Sequence, residues 1–154
     1  MLLMMGAAIL LVGLTMMIHY EALRVASDLL PGVPLPPRLK IVFLVFAAFL
    51  AHTLEVWTYG IAYDLLESPE RGQIVHVSGP VGDIFDHVYF SAATFSTLGF
   101  GDVVPTGALR LLAGVEALNG FVLVGWTASV TYIAMQAFWP LHAARRAAHG
   151  RARR

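Results

Sequence analysis

The sequence contains no cysteine, and charged residues make up only 13% of its 154 positions. The absence of cysteine excludes disulfide bonds, thiolate metal sites and cysteine nucleophiles. A soluble domain of this length needs more charge to cover its surface, whereas hydrophobic residues here reach 58%. No apolar stretch carries the repeated arginines of a voltage sensor. The composition therefore indicates a membrane protein that does not sense voltage in the usual way.

Three apolar stretches are long enough to cross a bilayer as helices, since a span needs about 20 residues that each rise about 1.5 Å. They cover about residues 2–18, 41–66 and 109–139. The first has no positive residue before it and no small-residue cleavage site after it, which favours a retained helix over a cleaved signal peptide. Prolines in residues 31–40 predict an extended linker between the first two spans.

Basic residues are concentrated in two places. Of the ten Lys and Arg residues, five lie in the tail 140–154 and three flank the linker 31–40. The positive-inside rule then places the linker and the tail in the cytoplasm, with the N-terminus and residues 67–105 outside. The outer segment is acidic, which either raises the local cation concentration or reflects an ordinary solvated loop. The basic tail either contacts anionic lipid or is a plain stop-transfer tail.

A fourth apolar stretch, residues 84–98, is too short to cross the membrane. We expect it to enter as a half-helix and to return as extended chain, because non-helical backbone at membrane depth is tolerated where it lines a wet cavity. The returning chain reads Thr97-Leu98-Gly99-Phe100-Gly101-Asp102. Alternating glycines allow backbone angles that point successive carbonyls at one axis, where they can replace the hydration shell of a potassium ion. The Thr97 hydroxyl can add a further oxygen.

Residues 97–102 resemble the pore signature of potassium channels, whose commonest form is T-V-G-Y-G-D. Leu98 and Phe100 depart from that form, and both side chains are expected to point away from the ions. Some two-pore-domain potassium channels carry Phe at the same place, and the resemblance extends over about residues 40–139, as in small bacterial channels. It implies that K⁺ is coordinated at Thr97, Leu98, Gly99, Phe100 and Gly101, with Asp102 at the outer mouth.

The resemblance also implies a homotetramer, because this chain offers one pore loop and the family builds its pore from four. It further implies a gating hinge at Gly120, since inner helices of the family often carry a glycine near this point. A glycine that merely permits close packing is the alternative.

We therefore predict an all-α membrane protein with three transmembrane helices, a re-entrant pore half-helix and a selectivity-filter loop. The predicted parts are an extra N-terminal helix (1–30), a cytoplasmic linker (31–40), a pore domain (41–139) and a basic cytoplasmic tail (140–154). Within the pore domain we predict an outer helix 41–66, an outer loop 67–83, a pore helix 84–96, a filter 97–102 and an inner helix 108–139.

Two pairs of strongly polar residues lie deep inside the predicted spans, each spaced i, i+3 on one helix face: His52 with Glu55, and Glu116 with Asn119. By residue count the two carboxyls lie about 9 and about 10 Å below the outer boundary. Polar groups at this depth need a partner or a function, so we predict a hydrogen-bonded network between the second and third spans. The network is either a structural lock or a proton-sensitive element of the gate. Asn119 alternatively faces the cavity, and a metal at His52 and Glu55 needs a third convergent ligand.

The sequence thus predicts a subunit of a potassium-selective channel and not an enzyme. We expect it to cross a cell membrane several times, most simply a bacterial inner membrane. The lipid bilayer and three further copies of the chain are its expected partners. No cofactor besides the permeant K⁺ and no nucleic acid is expected. Rival hypotheses are a weakly selective cation channel, a non-conducting accessory subunit, and a membrane-embedded enzyme that uses His52, Glu55 and Glu116.

Overall fold

The computed structural model describes residues 1–32, 34–77 and 83–151, with side chains described as far as residue 137. The elements follow the order α1 (Leu2–Leu29), α2 (Pro37–Leu66), β1 (Ile74–His76), α3 (Ile84–Phe95), β2 (Val103–Pro105) and α4 (Leu109–Arg151). Helices α1 and α2, and α4 over Leu109–Ala137, are long and apolar enough to cross a membrane. The predicted all-α membrane fold, with three spanning helices and a shorter helix before the third, is confirmed.

The helix ends differ from the predicted ones in two places. Helix α2 begins at Pro37 rather than at residue 41, because proline in the first turn has no N–H to leave unpaired and its fixed φ suits a helix. The prediction of an extended linker as far as residue 40 is therefore wrong beyond Pro36. Helix α4 continues to Arg151, beyond the predicted end at 139, through a stretch rich in alanine and arginine, which favour helix. The predicted lipid contacts of the tail arginines lie outside the described side chains.

Helix α1 packs against α2 and α4 of its own chain through a single face. Its buried residues recur every three or four positions, which is the spacing of one helix face. The apolar residues nearest the N-terminus join a core formed with α2 and α4, and Leu23 and Ala26 join a second cluster with Leu44 and Ala48. The full buried face of α1 comprises Met4, Ala8, Leu11, Thr15, His19, Leu23 and Ala26.

Helix α3 packs against both α2 and α4. Asp83 caps its N-terminus by accepting a hydrogen bond from the Phe85 N–H at 2.9 Å. A glycine on each neighbouring helix permits the close approach. A Cβ on Gly60 of α2 would lie 2.7 Å from Cγ2 of Val88, and a Cβ on Gly120 of α4 would overlap the carbonyl oxygen at the end of α3.

The two short strands pair antiparallel, with Ile74 opposite Pro105 and His76 opposite Val103. The Val77 N–H also donates to the carbonyl oxygen of Asp102 at 2.8 Å. The chain that leaves the 97–102 segment is thereby tied to the loop that follows α2.

Candidate ion pore and its supporting contacts

The chain from Thr97 to Gly101 has a left-handed backbone at every second residue. The φ angle is 61° at Thr97, 54° at Gly99 and 80° at Gly101. Glycine adopts such angles freely, whereas a residue such as threonine does so at a cost of about 1–3 kcal/mol. A non-glycine residue held in this region marks a segment whose conformation is imposed by its surroundings.

The backbone of this segment is oriented by the end of α3. The N–H groups of Leu98 and Gly99 both donate to the carbonyl oxygen of Ala93, at 3.0 and 3.1 Å. The described peptide bonds are trans, and in a planar trans peptide the C=O points opposite to the N–H of the next residue. The carbonyl oxygens of Thr97 and Leu98 therefore both point away from α3. Two consecutive carbonyls directed to the same side are what a cation-coordinating ring requires.

Tyr89 of α3 supports the outer end of the segment. Its ring stacks on Phe100, with the ring centroids 6.4 Å apart and the planes 5° from parallel. Its hydroxyl donates to Oδ2 of Asp102 at 2.8 Å. This hydrogen bond lowers the pKa of the Asp102 carboxyl, because it stabilises the ionised form. Phe100 thus contacts Tyr89 of α3.

Other acidic residues near α3 are held by contacts within the chain. Oε2 of Glu67 lies 3.1 Å from Nε2 of the buried His87 and 3.2 Å from the Ile74 nitrogen. His76 Nε2 lies 3.4 Å from Oδ1 of Asp86. These contacts show that the acidic character of this segment has a structural use, whatever it contributes to the local cation concentration.

Glu116 of α4 joins α4 to α2 and α3. It is fully buried, and its two carboxyl oxygens accept hydrogen bonds of 2.5 Å, one from the Tyr63 hydroxyl of α2 and one from the Ser91 hydroxyl of α3. Ser91 Oγ also lies 2.9 Å from the carbonyl oxygen of Val56. The position of α3 is therefore fixed by polar contacts as well as by apolar packing.

Glu55 of α2 lies between two histidines. Nδ1 of His19 is 3.0 Å from its Oε1, and Nδ1 of His52 is 2.8 Å from its Oε2. The remaining ring nitrogens, both Nε2, lie 3.2 and 3.0 Å from Oγ1 of Thr127 on α4. These four side chains close a circle of hydrogen bonds, which we call the histidine cluster, and they connect α1, α2 and α4.

Asn119 of α4 is directed towards α1 and α2. Its side-chain nitrogen donates to Oγ1 of Thr15 at 2.8 Å and to the hydroxyl of Tyr59 at 3.2 Å. The residue is only 4% exposed, and its Oδ1 has no hydrogen-bond partner among the described residues. These contacts do not favour the alternative that Asn119 faces a cavity and contacts ions.

A family model described as an ion channel, of the two-helix type, matches residues 39–137. No curated protein and no solved structure gave a significant match. The matched range contains α2 from residue 39 onwards, α3, the 97–102 segment and α4 up to the last described side chain. This chain belongs to that ion channel family. Family membership points to ion conduction across a membrane and away from an enzyme.

The polar network of the channel differs from the predicted one. Glu55, Glu116 and Asn119 are buried and His52 is partly buried, but Glu55 and Glu116 have different hydrogen-bond partners. Hydrogen bonds do join α2 to α4, as predicted, at His52 with Thr127 and at Tyr63 with Glu116. The predicted residues, however, belong to three separate groups of contacts among the described residues and not to one network. Counting residues gives the depth of a side chain but not its direction around the helix. The contacts also include residues that the sequence reasoning missed, namely Thr15, His19, Tyr59, Tyr63, Ser91 and Thr127.

A signal for the missed partners on α1 was present in the sequence. Thr15 and His19 are polar residues four positions apart in an otherwise apolar stretch. That spacing places both on one helix face, and polar groups at membrane depth need partners.

The proposed hinge, Gly120, lies within the continuous helix α4 of the channel. Its Cα faces the backbone of Phe95, so that a larger residue would collide with the end of α3. This contact accounts for the glycine by packing alone, and bending at Gly120 stays a prediction. By contrast, a Cβ on Gly114 or Gly125 would meet no atom of the chain within 4 Å.

Proposed function

We propose that this channel conducts potassium selectively, through a pore formed by four copies of the chain around residues 97–102. The observation that carries the proposal is the alternating left-handed backbone at Thr97, Gly99 and Gly101. The two carbonyls that point away from α3 support it, because a selective pore needs backbone oxygens aimed at one axis. Asp102, held by Tyr89, would then stand at the outer mouth.

The exposed surfaces support assembly around an axis. In the single chain Leu98 and Phe100 are 64% and 67% exposed, and Leu118 and Phe121 of α4 are each 70% exposed. A Cβ added to Gly99 would meet no atom within 4 Å. Irregular backbone at membrane depth must be covered by protein or line a water-filled cavity, and closed fourfold symmetry provides both.

The arrangement of charge supports an orientation. With the N-terminus outside, residues 31–36 and the end of α4 lie in the cytoplasm, together with most of the basic residues. The 97–102 segment then opens towards the outside through Asp102. We place the channel in a cell membrane of the bacterial inner-membrane type, where the tail can contact anionic lipid.

Ion flux into liposomes tests the proposal directly. The purified channel would be reconstituted, and flux measured with a potassium gradient and then with a sodium gradient. We expect potassium flux at least tenfold faster than sodium flux, which corresponds to about 1.4 kcal/mol of discrimination. Equal flux of the two ions would refute potassium selectivity and leave a weakly selective cation channel.

Two glycine variants provide a matched comparison in the same assay. Gly99→Ala places a side chain on a residue with φ of 54°, which costs about 1–2 kcal/mol in each subunit. We expect it to abolish potassium flux or to admit sodium. Gly13→Ala on α1 meets no atom within 4 Å and should conduct like the unaltered channel. Normal selectivity in Gly99→Ala would contradict the assignment of the filter.

Chemical cross-linking of the purified channel tests the number of copies. A ladder of products that ends at four chains is expected. A ladder that ends at two, or products only with another protein, would refute the fourfold pore and favour an accessory subunit.

A further inference from the structure

Three side chains of the histidine cluster converge in the way that metal ligands do. One ligand atom from each of His19, His52 and Glu55 can be chosen so that all three lie within 4.8 Å of one another. The ligand atoms of tetrahedral zinc, at about 2.0–2.2 Å from the metal, lie roughly 3.3–3.6 Å apart. Small movements of the side chains therefore suffice to enclose an ion. We propose that His19, His52 and Glu55 bind Zn²⁺, which ties α1 to the pore domain.

The ligand set suits this metal. His52 and Glu55 are spaced i, i+3 on α2, so that both project from one face of the helix, and His19 comes from α1. Two imidazoles and one carboxylate are a ligand set found at zinc sites that keep a fourth position open. Water can occupy that position. Both His19 and Glu55 are fully buried, and two ligands that are already in place reduce the cost of ordering the site.

The second nitrogen of each histidine provides the strongest argument. Both Nδ1 atoms face Glu55, and both Nε2 atoms face Oγ1 of Thr127. With Zn²⁺ on the two Nδ1 atoms, each neutral imidazole carries its proton on Nε2. Both Nε2–H groups can then donate to Thr127 Oγ1, which has two lone pairs. An outer hydrogen bond of this kind is what orients histidines that bind metals.

Without a metal, these four side chains have one donor hydrogen too few for the contacts they make. If the carboxylate of Glu55 accepts from both Nδ1–H groups, the Nε2 atoms of the two neutral histidines are both acceptors. The single hydroxyl hydrogen of Thr127 can serve only one of them. The other Nε2 would face an oxygen lone pair at 3.0 or 3.2 Å. A metal ion removes this mismatch, and an extra proton on one histidine is the competing solution that the experiment must separate.

An ion can reach the site from the side of α2. A groove of about 400 Å³ is lined by His52, Val56, Ala92 and Phe95, among other residues. The side chain of His52 is 19% exposed, whereas that of Glu55 is 0% exposed. His52 is therefore the ligand that an entering ion would meet first. None of this depends on which ion the pore conducts.

Metal binding to the purified, detergent-solubilised channel tests the proposal, after treatment with a chelator. Titration with Co²⁺ should give the visible absorption band of a tetrahedral site, at one ion per chain, and Zn²⁺ should displace it. Trp126 gives a second signal, because its ring centroid lies 5.4 Å from that of His19 and bound Co²⁺ should quench its fluorescence. No band and no quenching in the unaltered channel would overturn the proposal and leave the extra proton as the solution.

Variants assign the signal to these residues. His19→Gln should weaken Co²⁺ binding at least 100-fold. His76→Gln is the control, because it changes a histidine of β1 outside the histidine cluster, and it should bind Co²⁺ like the unaltered channel. Thr127→Val keeps the shape of the side chain and should weaken binding about 10- to 100-fold, because it removes the outer acceptor. If His19→Gln fails to fold, Thr127→Val and the spectrum of the unaltered channel still decide. Unchanged affinity in both variants would place the metal elsewhere and refute the site.

Discussion

Replacing Gly120 by alanine should destabilise the channel, because this glycine lies directly against the end of helix α3. A Cβ built on Gly120 would overlap the carbonyl oxygen of Phe95 and would lie 2.9 Å from both its carbonyl carbon and its Cγ. The first two of these atoms belong to the backbone, so rotation of a side chain cannot relieve the collision. Helices α3 and α4 must move apart. Because Phe95 lies two residues before Thr97, the movement would reach the start of the 97–102 segment.

Two opposing effects set the size of the loss. Alanine favours a helix over glycine by about 0.8–1.0 kcal/mol. Forcing extra atoms into a well-packed contact costs about 1–3 kcal/mol, and a backbone obstacle places this case at the upper end of the range. We expect the Gly120→Ala chain to lose about 1–2 kcal/mol of stability. Gly125→Ala is the matched control on the same helix. It meets no atom within 4 Å and should be neutral or up to about 1 kcal/mol more stable.

Thermal unfolding in detergent and potassium flux in liposomes, measured on the same preparations, separate packing from hinge motion. If packing explains Gly120, its alanine variant unfolds at a lower temperature than the Gly125→Ala control and loses flux. If Gly120 is only a hinge, flux changes while the unfolding midpoint stays the same. An unfolding midpoint equal to that of the unaltered channel would refute the packing argument.

Three further predictions follow from the contacts around α3. Tyr89→Phe should raise the pKa of Asp102 towards its ordinary value. A lowered carboxyl pKa contributes stability above the ordinary pKa that is lost as pH falls through the lowered one. Acid inactivation of potassium flux should therefore begin at a higher external pH in this variant, and an unchanged profile would contradict the role of the phenol. Glu116→Gln should lower stability by about 1–3 kcal/mol in thermal unfolding with the pH profile of flux unchanged; a shifted profile at normal stability would reveal a proton sensor instead. Gly60→Ala should lower the unfolding midpoint, since its Cβ would lie 2.7 and 2.9 Å from Cγ2 and Cα of Val88, and a normal midpoint would show that α2 and α3 can separate freely.

The spanning helices and the short α3 could be predicted from the sequence because the signals are local. Length and hydropathy decide whether a stretch can cross a bilayer, and α3 is too short by the same measure. The backbone of residues 97–101 was also predictable in outline, because glycines at alternate positions permit left-handed angles there. The angle at Thr97 was not predictable, since threonine rarely adopts it and the accompanying hydrogen bonds of Leu98 and Gly99 reach back to Ala93 in α3.

The polar contacts could not be predicted in detail because they depend on how the helices rotate about their axes. Residue counts placed Glu55 and Glu116 at similar depths, but Glu55 turns towards α1 and Glu116 towards α3. The partner of Asn119 on α1 lies 104 residues away in sequence. No local pattern specifies a contact of that range.

The packing of α1 determines whether the region that matches the family can be treated as an independent structural unit. The family match begins at residue 39, yet Glu55 and Asn119 within it find partners on α1, at His19 and Thr15. A chain cut at the family boundary would leave Glu55 with His52 and Asn119 with Tyr59. The atoms that had bonded to α1 would then face hydrocarbon, and each unpaired polar group in hydrocarbon costs several kcal/mol. In this protein the unit that recurs in the family is therefore smaller than the unit that can stand alone. A graft of this pore onto another protein must include the first helix.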